Sequence, residues 1–271
     1  MWSAPIDDLS DWTYHGVIFE NIYNRDGEPR TANKAGSTLY APDMAVVKDA
    51  DGKPTYYFYP FPNGGPAGVA KSDRPDGPFT GNVINWSPTN PNQAVGVIGT
   101  DPGVFWDPET DRIFHYQGIG TSNTSTCTVD ELEPDMFTRK AGTERQNILA
   151  TVDADESDLD PQHFRYFEAP TMHKVWFYKD TGKVIPFGEE EPDNENHIAK
   201  YVLVYARRAS TSEDRAWAAN QKAFAYADDP LGPFTYGGVI IDASGEKTED
   251  GTTGFQMHNT HGALVQVKDQ W

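Results

Sequence analysis

Short apolar and aromatic runs, broken at close intervals by turn residues, make up the hydrophobic pattern of this chain. Met44-Ala45-Val46-Val47 and the aromatic run at 55–59 flank Lys48-Asp49-Ala50-Asp51-Gly52-Lys53. That arrangement predicts a hairpin turning at an Asp-Gly pair. Val104-Phe105-Trp106 and the run at 113–117 flank Asp107-Pro108-Glu109-Thr110-Asp111 in the same way. A third strand, Val175-Trp176-Phe177-Tyr178, runs into a Lys179-Asp180-Thr181-Gly182 turn. Helical periodicity is scarce, and its best stretch, residues 212–223, is short and flanked by strand-like residues. The predicted fold class is all-β.

Three of the predicted strands open alike. Tyr40-Ala41-Pro42-Asp43, Thr100-Asp101-Pro102 and Phe167-Glu168-Ala169-Pro170 each set an acid next to or near a proline, just before an apolar strand. A second repeat joins strands further on: Ala70-Lys71-Ser72-Asp73-Arg74-Pro75-Asp76-Gly77-Pro78-Phe79 matches Tyr226-Ala227-Asp228-Asp229-Pro230-Leu231-Gly232-Pro233-Phe234. The opening Ser3-Ala4-Pro5-Ile6-Asp7-Asp8-Leu9-Ser10-Asp11-Trp12 is a looser version of that strand–turn–strand link. Self-similarity on this scale predicts a propeller, with four-stranded blades about a central channel. Acids at equivalent strand starts would then gather around one site. The spacing between those starts is long for a minimal blade and implies loop insertions. Residues 187–197, which include Glu189-Glu190-Glu191-Pro192-Asp193, read as the solvated tip between two strands of one blade. The acidic run Asp153-Ala154-Asp155-Glu156-Ser157-Asp158 lacks the glycine and the closing glutamate of a calcium loop.

Charge and composition narrow the function. The 271 residues carry 22 basic and 41 acidic side chains, a net charge of −19. This balance argues against nucleic acid and against an anionic membrane surface as partners. No apolar run is long enough to span a bilayer, and no secretory leader opens the chain. Cys127 is the single cysteine, which excludes an intrachain disulfide and a cysteine zinc site; it reads as a small buried strand residue. The length suits one large all-β domain over residues 1–271.

The motifs together resemble glycoside hydrolase family 43, the five-bladed β-propeller enzymes that cleave β-xylosides, α-L-arabinofuranosides and related plant-wall glycosides. The likeness runs through nearly the whole chain. It rests on Tyr40-Ala41-Pro42-Asp43, Asp101-Pro102-Gly103-Val104, the run from Phe167 through Lys174, both Gly-Pro-Phe repeats and Asn259-Thr260-His261-Gly262. In that family hydrolysis inverts the anomeric centre: a carboxylic acid protonates the leaving oxygen, a carboxylate base activates water, and a third carboxylate tunes the acid. The resemblance makes Glu168 the general acid and Asp101 the tuning residue. A nearby negative charge and an aromatic neighbour such as Phe167 both help an acid to keep its proton. Asp43 reads as a structural carboxylate that binds backbone at a strand start. Tyr40 and Phe167 are candidates for stacking on a sugar face, with core packing as the alternative for each.

His261 resembles the family histidine on the propeller axis, beside a bound calcium or a water cluster. A lone histidine suits a hard cation poorly, and His258 with His261 makes an incomplete zinc set. No cofactor is otherwise required; the partner implied is an oligosaccharide or polysaccharide substrate. The chain departs from the family pattern at its ends. The inner strand that carries the general base would precede Met1, and the last blade would continue beyond Trp271. The expectation is therefore a propeller with incomplete first and last blades, inactive or weakly active as this polypeptide. A non-catalytic carbohydrate-binding or structural propeller is the alternative. The motifs do not separate xylosidase from arabinofuranosidase.

Overall fold

A computed structural model describes residues 1–19, 39–62, 69–79, 100–119, 126–149, 164–208, 219–242, 260–267 and 270–271. The described residues form strands and turns and contain no helix, so the chain is all-β. The strands are β1 (Trp2–Ser3), β2 (Thr13–Tyr14), β3 (Leu39–Lys48), β4 (Pro54–Pro62), β5 (Ala70–Ser72), β6 (Thr100–Asp107), β7 (Arg112–Ile119), β8 (Thr126–Leu132), β9 (Arg145–Leu149), β10 (Tyr166–Tyr178), β11 (His197–Arg208), β12 (Ala219–Ala227) and β13 (Thr235–Asp242). They pair in chain order as β1–β2, β3–β4–β5, β6–β7–β8–β9 and β10–β11–β12–β13. Meander sheets of this kind need only short connections. The contacts fall into two compact units. One holds Met1–Ile113 and Glu131–Lys140, the other Phe114–Asp130 and Ala141–Trp271.

In the first unit the predicted hairpins form with the predicted turns. Met44 faces Phe58 and Val47 faces Thr55 across β3 and β4. Asp49 closes the turn by accepting hydrogen bonds from the amides of Asp51 and Lys53, at 3.0 and 2.9 Å, and Gly52 takes the left-handed backbone there. The turn after β6 is built the same way. Asp107 accepts from the Glu109 amide and the Thr110 hydroxyl, and Asp111 accepts from the Trp106 indole. Ala45, Tyr59, Val69, Val104, Met136 and Phe137 are among the buried side chains of the core, where the Tyr59 hydroxyl donates to the Met136 carbonyl at 2.9 Å. The opening residues form the strand–turn–strand link read from the sequence, with Trp2 opposite Tyr14 and Ser3 opposite Thr13.

The second unit is organised on β10–β13. β10 runs thirteen residues, longer than the predicted 175–178, and pairs with β11 from Thr171↔Val204 to Tyr178↔His197 in unbroken register. The acidic insertion between these strands is the solvated tip the sequence predicts: Phe187, Gly188, Glu189, Glu191 and Asp193 are exposed. Cys127 is buried in β8, and burial pushes its thiol well above the usual range. The one helical expectation fails where it can be seen. Residues 219–223 belong to β12, bonded to β11 on one side and β13 on the other; 212–218 lie outside the described residues. Two sheet neighbours satisfy a backbone that a weak helical preference could not hold. The calcium-like run at 153–158 also lies outside the described residues.

Gly237 in β13 is required by packing. A Cβ there would stand 2.1 Å from the Phe224 ring, which packs on buried Val175, Val202 and Val204. Gly237→Ala should cost about 1–3 kcal/mol by overpacking, seen as a lower urea midpoint with an unchanged slope.

Candidate active site

The three motif acids sit at strand starts that share one backbone device. Ala41, Asp101 and Ala169 each precede a proline and each takes a positive φ, 25°, 50° and 53° respectively. Non-glycine residues rarely adopt that region, and each instance costs about 1–3 kcal/mol. β3 shifts register between Tyr40 and Asp43, and β10 between Glu168 and Thr171, so in both strands the kink interrupts the ladder. Measured from this kinked residue, the acids are not equivalent. Asp43 lies two places after it, Asp101 is the kinked residue itself, and Glu168 lies one place before it. The sequence groups them by their nearness to proline; the backbone gives each a different offset and hence a different direction.

In the first unit, Asp43 does the structural work read from the sequence. Its Oδ2 accepts from the Val104 amide at 2.6 Å, which ties β3 to β6. Burial raises its carboxyl to about 6, against the pull of hydrogen bonds from the Val104 and Met44 amides. Asp101 is buried at the head of β6. Tyr40 pairs with Phe61 through the β3–β4 ladder; its side chain lies outside the described part of the chain.

In the second unit, Glu168 lies between two register breaks in β10, opposite Ala206. The irregular backbone turns its carboxylate to His261, whose Nε2 stands 2.9 Å from Oε1. The side chains are 23% and 29% exposed, so the pair is reachable from solvent. The proton of this bond sits on either partner: a protonated Glu168 donates to Nε2, or an Nε2–H donates to the carboxylate. Phe167 packs on Ala169 and Ala206, the core-packing use of that ring. His258 lies outside the described residues. As a calcium site, the carboxylate and imidazole that this unit gathers at His261 fit poorly, because calcium takes six to eight oxygen ligands.

Two further residues of this unit are linked to Glu168 by charge, Lys222 directly and His173 through Lys222, and neither was given a role from the sequence. Lys222 on β12 is only 5% exposed, and its ammonium has no hydrogen-bond partner among the described residues. Burial lowers it to about 8, while the charge of Glu168 pulls it back up. His173 on β10 is held down to about 4 by burial and by the charge of Lys222. Its Nε2 accepts from the Leu264 amide at 3.4 Å, as a neutral ring must. The signal for Lys222 was present: Lys222, Phe224 and Tyr226 alternate with Gln221, Ala223 and Ala225. It reads as a strand only once the helical assignment is dropped.

The strand start thus sets a histidine-bound carboxylate within electrostatic range of an enclosed ammonium. No family model matches the chain. A xylosidase/arabinosidase of Thermoclostridium stercorarium is 26% identical over 284 residues, which take in 100% of this chain and 50% of that protein. Among solved structures, an α-L-arabinofuranosidase from Clostridium thermocellum aligns with a TM-score of 0.52 at 24% identity, covering 96% of this chain and 65% of that one. A glycoside hydrolase family 43 arabinoxylan arabinofuranohydrolase from Bacillus subtilis, in complex with cellotetraose, gives 0.51 at 21%, covering 86% and 42%. The resemblance to glycoside hydrolase family 43 carried by the motifs is what both comparisons return. The chain spans half the length of its Thermoclostridium relative.

Proposed function

We propose that this chain acts in an inverting glycoside hydrolase that cleaves β-xylosides or α-L-arabinofuranosides of plant cell walls. Its sheets are the blades of a five-bladed β-propeller, and its partner is an oligosaccharide or polysaccharide. Glu168 is the general acid that protonates the leaving glycosidic oxygen, and Asp101 is the carboxylate that keeps Glu168 protonated. His261 orients the acid. The carboxylate that activates the attacking water is none of these, and inversion needs it roughly 6.5–9.5 Å from the acid to leave room for that water. Of the two aromatic residues beside the motif acids, Tyr40 is the candidate for stacking on a sugar ring, since Phe167 is used in packing.

The observation that carries this reading is the Glu168–His261 bond at 2.9 Å on a kinked strand start. It supports the role because a general acid must be fixed in direction and within reach of the oxygen it protonates. The names of the relatives, a xylosidase/arabinosidase and an α-L-arabinofuranosidase, supply the substrate class. The test reads turnover and binding together, on aryl β-xyloside and aryl α-L-arabinofuranoside, by aryl release and calorimetry. Turnover with an inverted anomeric product supports the hydrolase. Binding without turnover, by the full product of the gene, supports the carbohydrate-binding alternative instead. Neither binding nor turnover on either sugar removes the proposal.

A further inference from the structure

The segment that brings His261 to Glu168 is not part of a sheet. Residues 260–266 lie outside the named strands, and 261–263 are exposed, so neither a ladder nor burial fixes them. Point contacts to the rest of the unit hold the segment instead. Leu264 packs on Val175, Val202 and Val204, and its amide donates to His173. The Gln266 side chain donates to the Ile185 carbonyl at 2.8 Å. Directly before His261, the Thr260 hydroxyl donates to the Gln221 carbonyl on β12 at 2.9 Å.

Gln221 is a stiff place to attach. It is 8% exposed, and its side chain is bonded on both flanks. Arg207 of β11 donates to its Oε1, and its Nε2 donates to Asp242 of β13 at 2.7 Å. The same residues are register partners, Arg207↔Gln221 and Gln221↔Asp242, so they form a row across the end of the sheet. Glu168 belongs to that end too, because its partner Ala206 is the neighbour of Arg207 on β11. A polar row whose hydrogen bonds are made resists distortion. The acid is therefore mounted on the row through β10 and β11, and His261 through Thr260. A single half-exposed bond to Glu168 is worth too little to order a segment that has no ladder of its own.

We propose that Thr260 is a positioning residue for the general acid: its bond to the Gln221 carbonyl holds the segment so that His261 meets Glu168. This rests on the reading of Glu168 as the acid and adds the contact that sets the partner of that acid in place.

The experiment compares Thr260→Val, Thr260→Ser and Glu168→Gln with wild type, each as the full product of the gene. Valine matches threonine in shape and removes the hydroxyl; serine keeps it. Melting temperature, kcat and KM are measured, the last two on two kinds of substrate. Xylobiose or an arabinoxylan oligosaccharide needs a proton on its leaving group, and a dinitrophenyl xyloside or arabinofuranoside does not. Misplacing a catalytic group by about 1 Å can cost about 100-fold. Thr260→Val should accordingly lose about 10- to 100-fold in kcat on the oligosaccharide with KM unchanged, as when an interaction counts only in the transition state. The dinitrophenyl glycoside should lose little, and Thr260→Ser should recover most of the loss. A residue of structural importance only would lower the melting temperature and slow both substrates alike. Equal losses on both, an unchanged kcat in Thr260→Val, or a Thr260→Ser as slow as Thr260→Val each overturn the inference. The acid reading then stands if Glu168→Gln still loses far more on the oligosaccharide than on the dinitrophenyl glycoside. Without that difference in Glu168→Gln, or without wild-type turnover, both fall.

Discussion

Glu168→Gln is expected to lower turnover of xylobiose or an arabinoxylan oligosaccharide by about 10²–10⁴, with much less effect on a dinitrophenyl glycoside. The reason lies in the leaving group. A sugar alkoxide departs only with a proton, the one that the proposed role assigns to Glu168; a dinitrophenolate is stable enough to leave without one. Glutamine keeps the size and one hydrogen-bonding oxygen toward His261, 2.9 Å away, so the strand start should hold its shape. The loss then reports the missing proton rather than a collapsed site. The check is kcat on the two substrate types with the full product of the gene, wild type and variant side by side. Equal losses on both would assign Glu168 to binding or folding, and no loss on either would remove it from the reaction.

What could be read from the sequence is what is encoded locally. The hairpin at 48–53 was legible because Asp49 and Gly52 do by side chain and backbone what turn chemistry requires of them. Glu168 stood out because an acid, an alanine and a proline open a strand that then runs through Tyr178. Its partner was not legible as a partner: His261 lies 93 residues away, and only the folded sheet closes that gap. The positive φ at Ala41, Asp101 and Ala169 was equally hidden, since no glycine marks those positions. Lys222 was lost for a third reason. The alternation over residues 221–226 marks a strand, but the helical assignment covered it, and the pairing with Ala206 and Ile241 that decides between the two is visible only in the folded sheet. Contacts made at a distance and backbone imposed by neighbours are the two things one sequence does not display.

Between pH 4 and 6.5 two buried groups should drive stability in opposite directions, so that single replacements uncover slopes the wild type conceals. Asp43 has its carboxyl raised from 3.8 to about 6, first by burial. In that window the folded state holds a proton the unfolded chain has released, so Asp43 makes stability fall as pH rises from about 3.8 to 6. A displacement of that size is worth about 3 kcal/mol. His173 is lowered from 6.5 to about 4, first by burial and then by Lys222. Here the unfolded chain takes up a proton the folded state refuses, so stability is lost as pH falls from 6.5 to 4, again by about 3 kcal/mol. Asp43→Asn removes the first effect while its amide oxygen can still accept from Val104. The variant should gain about 3 kcal/mol over wild type at pH 7, and the gain should vanish near pH 3.5. His173→Gln should match wild type near pH 7 and gain about 3 kcal/mol over it near pH 4. Carboxylates held low by their partners, such as Asp76 beside Arg74 and Glu131 beside Arg112, add a common loss in acid. That loss cancels when variants are compared at the same pH. Urea unfolding at half-unit steps from pH 3.5 to 7 measures the differences directly, and variants that run parallel to wild type across the range would show that neither group is buried as described.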